Sequence, residues 1–443
     1  MFVDQNLNVS VCSLERSAVF PSSIPRFYYS QGKPVDPSEN DAALDKVRRL
    51  FSELSSGVAE KSCDLIDICK AINFPVYLKR PLYDAVARAA GHTRCCPIDG
   101  KLPPITIENF AIFWREMTSK AHDEASRFVF ALAASDCESF NVWTIRDNVG
   151  YDDLISLVKD VIDTHPGMRF LAESGDFHIS YIQVVVSRIF WEVNRHVHGR
   201  LSIDEFRRSN FLQTIRDLET ITDINTTTNV FSYPHFYVIF SRFWDLDKDN
   251  DGRLTRQDLM KYSDSSLTAK AVDRIFTVMG LQEADHMDLS EFAIFMMAEE
   301  DKAQPQSIEF WFRCLDIDGD GTVTIDAMRH FYDEMKKRLD AEGIEALSSE
   351  DVESMLLDIA NPVTPGHVTL ADLKKCGLAH RFINTLVNVY KHCEQESENG
   401  ELSSHQASFF SIFTVNQWSS FQDKARKMSD WDVFCEMAYD AEL

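Results

Sequence analysis

Apolar residues recur along this chain mainly at three- and four-residue steps, and long every-second-residue alternation is absent. "FYVIFSRFW" (236–244) sets Phe236, Phe240 and Phe243 at helical spacing, a stripe that reads as core. "DPSENDAALDKVRRLFSEL" (36–54) opens a helix, with Asp36 or Ser38 as N-cap and acids in the first turn. "LMKYSDSSLTAKAVDRIFTVMG" (259–280) continues the helical recurrence after a polar interval. The pattern predicts an all-α chain whose β content is confined to short pairings between loops.

The polar interval between the last two helical patterns is "DKDNDGRLTRQD" (247–258). Acids stand at every second place, a glycine follows, and another acid takes the twelfth position. That is the loop of an EF-hand, in which oxygens at positions 1, 3, 5, 7, 9 and 12 surround calcium and position 6 is glycine because the chain turns sharply there. Asp247, Asp249, Asp251 and Asp258 are the side-chain ligands, Arg253 offers its backbone carbonyl, and Thr255 acts at position 9. Asp258 is one methylene shorter than the usual glutamate. Closure is therefore weaker, magnesium is better tolerated, and a structural or modulatory role is expected in place of a steep switch.

A second copy, "DIDGDGTVTIDA" (316–327), offers Asp316, Asp318, Asp320 and the Thr322 carbonyl, but ends in Ala327. Asp326 is one residue early, about 100° away around the helix. Three weaker copies keep the outline and lose the acids. "GRLSIDEF" (199–206) has Glu205 at the twelfth place but Asn194 and His196 early; "DHMDLSEF" (285–292) has Met287 and Glu291; "PGHVTLADL" (365–373) has Gly366, Val368 and Asp372 but Pro365. EF-hands pack in pairs, so 247–258 is expected to pair with 280–291 and 316–327 with 361–372. The predicted fold is an elongated, all-α array of EF-hand pairs, two metal-type hands with degenerate ones, behind an N-terminal helical region.

The net charge of −25 argues against nucleic acid as the main partner. No apolar run reaches the length of a membrane span, and no secretory signal is expected in "MFVDQNLNVSVCSLERSAVF". The ten cysteines form no CxxC, so free thiols in a reducing compartment are expected. His92 lies near Cys95 and Cys96 without a second ligand pair at zinc spacing, and His196 with His198 read as surface residues. There is no GxSxG, P-loop, HExxH or dinucleotide fingerprint, which favours binding over catalysis.

Long phrases of the chain resemble the B-double-prime class of protein phosphatase 2A regulatory subunits. They are "SRIFWEVNRHVHGRLSIDEFRRSNFLQTI", "DINTTTNVFSYPHFYVIFSRFWDLDKDNDG", "EEDKAQPQSIEFWFRCLDIDGDG", "IPRFYYSQGKP" (24–34) and "MSDWDVFCEMAYD" near the end. The resemblance implies a non-catalytic, calcium-binding subunit. It would dock on a HEAT-repeat scaffold subunit, lie against the catalytic subunit and bring phosphoproteins to that active site. It implies a cytoplasmic address, with nucleus and centrosome as further addresses of the family. Ile24, Phe27, Tyr28 and Tyr29 are then either a strap on the protein's own core or a contact segment in the holoenzyme. Ala327 departs from the family pattern, and residues 400–422 have no counterpart in it.

The expected segments are an extended stretch at 1–40, helices at 41–150, a degenerate hand and the first pair at 151–300, the second pair at 301–395, and a polar linker and tail at 396–443. A free-standing calcium sensor is the rival reading. It predicts two intact loops and a Met-rich groove, whereas the loops are defective and the 13 methionines dispersed. An enzyme with appended EF-hands would have only 41–150 for its site.

Overall fold

The computed structural model describes residues 29–54, 56–89, 104–134, 146–172, 175–194, 199–398 and 428–442. Helices dominate, and the strands among the described residues are antiparallel pairs two or three residues long. The architecture is the all-α array of EF-hand pairs. Two compact units divide the chain, Met1–Asp160 with His198–Glu219, and Val161–Val197 with Thr220–Leu443.

In the first unit, helix Pro37–Glu53 begins at Asp36, whose carboxylate accepts the Ser38 N–H at 2.9 Å. Pro37 takes the first turn, where a missing N–H leaves no partner unsatisfied. Leu44, Val47 and Phe51 form its buried face. Helix Ile107–Lys120 starts on the Thr106 hydroxyl and buries Phe110, Phe113, Trp114 and Met117. Phe128, in helix Glu124–Ala134, meets Phe206 edge-on at 5.0 Å.

Two strand pairings organise this unit. Val58–Ala59 pairs with Ile105–Thr106, and Asn148–Val149 pairs with Leu201–Ser202. The second gives the degenerate hand at 199–206 its partner. The first belongs to the stretch expected to be helical alone. Strands this short carry no periodicity of their own, so only their pairing reveals them.

Residues 30–32 are strapped onto the same unit. The Gln31 carbonyl accepts from His122 N at 2.8 Å and Ser126 Oγ at 2.9 Å, and Arg207 donates to the Ser30 carbonyl at 2.8 Å. Gly32 has φ of 86°, and a Cβ there would fall 2.5 Å from Asp123 N, so only glycine fits. Tyr29 is half-buried, while Ile24, Phe27 and Tyr28 lie outside the described residues, as does 400–422.

In the second unit, helix Gly175–Val193 packs on Leu289–Glu300, and Asp430–Glu442 packs on Tyr233–Leu246. Trp311 is fully buried and its Nε1 donates to the Ala298 carbonyl at 2.9 Å. The terminal helix buries Trp431, Cys435 and Ala438. His235 faces it, 3.6 Å from Asp432. Burial and the neighbouring Arg188 cation hold the imidazole well below its ordinary value, so this contact is not an ion pair at neutral pH. Arg188 donates to His235 Nδ1 at 2.7 Å, which leaves the ring proton on Nε2.

The first unit also holds a buried ion pair, Lys79 with Asp160, each under 5% exposed. Removing one partner leaves the other charge buried and uncompensated. Lys79→Met is therefore expected to destabilise this unit by about 3–5 kcal/mol in urea unfolding. The double change Lys79→Met with Asp160→Leu should recover most of that loss.

Candidate metal centre

Helix Tyr233–Leu246 leads into the first loop, with Pro234 in its first turn and Phe236, Ile239, Phe243 and Leu246 buried. At Asp247 the backbone leaves the helix with ψ of 82°. The Asp247 carboxylate is itself buried and accepts the N–H groups of Gly252 at 2.8 Å and Asp251 at 3.3 Å. One side chain thus folds the loop back over itself. Gly252 sits at φ of 76°, as its place in the motif requires.

The result brings Asp247, Asp249 and Asp251 together, with a carboxylate oxygen of each within 4.8 Å of the others. A hydrogen bond with Asp247 and the charge of Asp251 push the Asp249 carboxyl above its ordinary value. A carboxylate whose proton affinity is raised by neighbouring carboxylates marks a place where a cation would be welcome. The donor set is all oxygen and anionic, which fits a hard divalent ion such as calcium.

Asp258 is not in that group. Its carboxylate accepts from the Thr255 hydroxyl at 2.7 Å and N–H at 3.2 Å, and from Lys261 Nζ at 2.8 Å. Burial raises its pKa, but the Lys261 and Thr255 hydrogen bonds outweigh that and hold it low. Asp258 thus caps the helix Arg256–Leu259 and pairs with a lysine. To ligate a metal it must exchange these partners. The twelve-residue spacing gave no sign of this competition; Lys261, three residues on, is the signal that was there to read.

The second loop has the same scaffold with one acid fewer, since Ala327 stands where Asp258 does in the first. Asp316 accepts from Gly319 N and Gly321 N, both at 2.9 Å. Asp320 is engaged by Thr322, N–H at 2.8 Å and hydroxyl at 2.9 Å, which lowers its pKa. Asp318 is exposed. Among the described residues these three acids do not gather as the first three do. Ala327 is buried, and Asp326 stands in solvent 3.5 Å from Arg329.

Each loop is joined to a degenerate one. Leu254 and Met287 exchange two backbone hydrogen bonds of 2.8 Å, and Val323 lies opposite Val368. In the degenerate loop 280–291, Arg256 pairs with Asp285 and, at 3.3 Å, with Asp273, its guanidinium over the Phe276 ring. Glu291 shares a capping box with Asp288, and burial pushes its carboxyl up to about 7. A side-chain cation, Arg256, thus meets an acid of this loop where a metal would otherwise be drawn. His92, Cys95, Cys96, His196 and His198 lie outside the described residues.

Comparison with known proteins extends the geometry. An EF-hand domain family matches residues 123–220, and an EF-hand domain pair matches 236–333. The chain is 35% identical over 424 residues to the human beta form of the B'' regulatory subunits of serine/threonine-protein phosphatase 2A, covering 94% of this chain and 68% of that one. It is 36% identical over 380 residues to the mouse delta form, covering 84% of this chain and 73% of that one. It is 36% identical over 426 residues to the human alpha form, and there spans only 34% of the relative's length. A solved chain of a PP2A PR70 holoenzyme, designated diCa, is 41% identical with a TM-score of 0.57, covering 62% of this chain and 99% of that one. With likeness at this level running through 94% of its length, including the paired acidic loops, the chain belongs to the B'' regulatory subunits of serine/threonine-protein phosphatase 2A, regulatory and not catalytic.

Proposed function

We propose that the chain works inside a protein phosphatase 2A holoenzyme, docking on its scaffold and catalytic subunits and presenting phosphoprotein substrates to the catalytic one. The near full-length likeness to B'' subunits carries this reading. The likeness to a solved PP2A PR70 holoenzyme chain supports it. A cytoplasmic address belongs to the same proposal. Affinity purification from cells tests it: scaffold and catalytic phosphatase subunits should co-purify, and the isolated chain should hydrolyse no phosphopeptide. Absence of both subunits from the eluate would refute the reading.

Asp247, Asp249, Asp251 and the Arg253 carbonyl would hold calcium at loop 247–258, the stronger of the two sites, and would tolerate magnesium there. Bound metal supplies a positive centre that relieves the crowding of these acids. Asp247 shapes the loop through its two backbone hydrogen bonds, and Asp258 joins only by leaving Thr255 and Lys261. That exchange makes closure shallow, which favours a modulatory role over a steep switch. Loop 316–327 is the weaker site, since its three acids do not gather, Asp320 also takes the Thr322 hydroxyl, and Ala327 brings no side-chain oxygen.

Isothermal titration of the full chain should show one dominant calcium site. Asp247→Lys with Asp249→Lys should abolish it. If assembly depends on the metal, this variant should also lose its difference in scaffold binding between calcium and chelator. Lys261→Ala removes the cation that competes for the half-buried Asp258 carboxylate, and is expected to tighten calcium binding about threefold. Trp244, just before the loop, reports both titrations by its emission.

A further inference from the structure

The helix that leaves the first loop, Arg256–Leu259, is a single turn. Beyond it the backbone enters the left-handed region at Ser263, Asp264 and Ser265, with φ of 48°, 56° and 65°. None of the three is glycine. Isolated residues of this kind are tolerated, but a run of them persists only where surrounding contacts over-determine it.

Those contacts come from the second EF-hand pair. Arg338, in the helix leaving loop 316–327 (Ile325–Ala341), donates to the carbonyls of Ser265 and, at 2.6 Å, Leu267. Tyr390 donates its hydroxyl to the Asp264 carbonyl at 3.2 Å. The Ser266 carbonyl accepts Val389 N–H at 2.8 Å, and Thr268 N–H reaches the Val387 carbonyl at 3.1 Å. Glu334, one turn before Arg338, accepts the N–H groups of Ala269 at 2.7 Å and Lys270 at 3.0 Å, closing the start of helix Ala269–Val278.

The connection also runs the other way. Arg274, on helix Ala269–Val278, donates to the carbonyls of Arg313 at 3.0 Å, Cys314 at 2.8 Å and Asp316 at 2.7 Å. These are the last turn of the helix leading into loop 316–327 and the first residue of the loop itself. The second pair thus fixes the backbone that follows loop 247–258, and the first pair fixes the edge of loop 316–327.

We propose that Arg338 and Arg274 are positioning residues for the two loops, and that the strained turn Ser263–Ser265 is the link through which the second pair sets the calcium affinity of loop 247–258. This rests on calcium occupancy of that loop. Asp258 lies on the single-turn helix between loop and bend, so the direction of the bend decides how readily its carboxylate swings toward the other acids. Arg338 and Tyr390 hold that direction. Released, the three residues relax toward right-handed backbone, and the helix carrying Asp258 re-aims. By reciprocity, metal in the first loop must stabilise the second pair by the same factor.

The test compares Arg338→Gln, Ser263→Gly with Ser265→Gly, and the triple variant. All are made in the full chain with Asp318→Ala, so that the first loop dominates the heat. Calcium affinity is read by titration calorimetry and stability by thermal unfolding. Arg338→Gln should weaken calcium binding about fivefold. Glycine adopts positive φ without strain, so the triple variant should return to within about twofold of the parent. Arg274→Gln, made in the chain with Asp318 intact, should lessen the shift in melting temperature that calcium gives the second pair. Arg338→Gln that melts earlier yet binds calcium as the parent does would reduce the arginine to a structural role and overturn the proposal. A triple variant as weak as Arg338→Gln would overturn the part played by the turn. A parent that binds no calcium would instead refute the occupancy reading, and the link with it.

Discussion

Two backbone hydrogen bonds of 2.8 Å between Leu254 and Met287 hold the first metal-type loop against its degenerate neighbour. An isolated acidic loop leaves its central N–H and C=O groups without partners, and its carboxylates repel. Pairing at the eighth position satisfies the backbone and buries an apolar side chain on each side, so that Leu254 and Met287 are both fully buried. Val323 and Val368 repeat the arrangement, and Val149 with Leu201 repeats it where no acid trio remains. Pairing, and not metal, is the requirement that every hand must meet. It explains why loops without ligands persist in this chain.

Once pairing is satisfied, the acids are free to be used differently in each loop. Asp247 and Asp316 both turn inward and accept glycine N–H groups, so both loops keep the tight bend. Asp251 and Asp320 each accept the backbone N–H two residues on, but Asp320 also takes the Thr322 hydroxyl, and only Asp247, Asp249 and Asp251 gather into one cluster among the described residues. At loop 280–291 Arg256 stands against Asp285, and burial raises the carboxyl of Glu291 in its capping box. The same framework therefore gives one concentrated anionic site, one weakened site and one self-neutralised loop.

A regulatory protein of this kind needs a rigid body with adjustable joints, and the second unit has both. Trp311 and the helices around it form a dense core, and Glu299, fully buried, is held between Lys302 and Lys391. Breaking such a cluster strands a charge, so these helices move together or not at all. The left-handed turn Ser263–Ser265 lies inside the first EF-hand pair, between its two loops, where Arg338 and Tyr390 of the second pair grip its carbonyls. Asp258 sits five residues before it, which puts the twelfth-position acid of the loop close in sequence to the backbone that the second pair grips.

Much of this was written in local spacing. The acids at 247, 249 and 251, the apolar eighth positions, the Asp36 cap and the missing acid at Ala327 are all local facts, and the structure keeps each within a few residues of its origin. What spacing left out has one physical character: it depends on groups far apart in the chain. The strands at 58–59 and 105–106 are too short to carry a period and exist only because each finds the other. "YSDSS" falls inside the helical recurrence expected over 259–280, yet the helix breaks there and three residues are left-handed; the carbonyls that Arg338 and Tyr390 grip decide it. Arg274, Glu334 and Arg338 look like solvated helix charges until folding brings distant backbone ends against them. Sequence alone determined which atoms are available to a metal, because ligand chemistry is carried by residue type and spacing. Tertiary structure decided which of those atoms are already spent and what the loop pulls on, because hydrogen bonds to backbone form only where the fold delivers a partner.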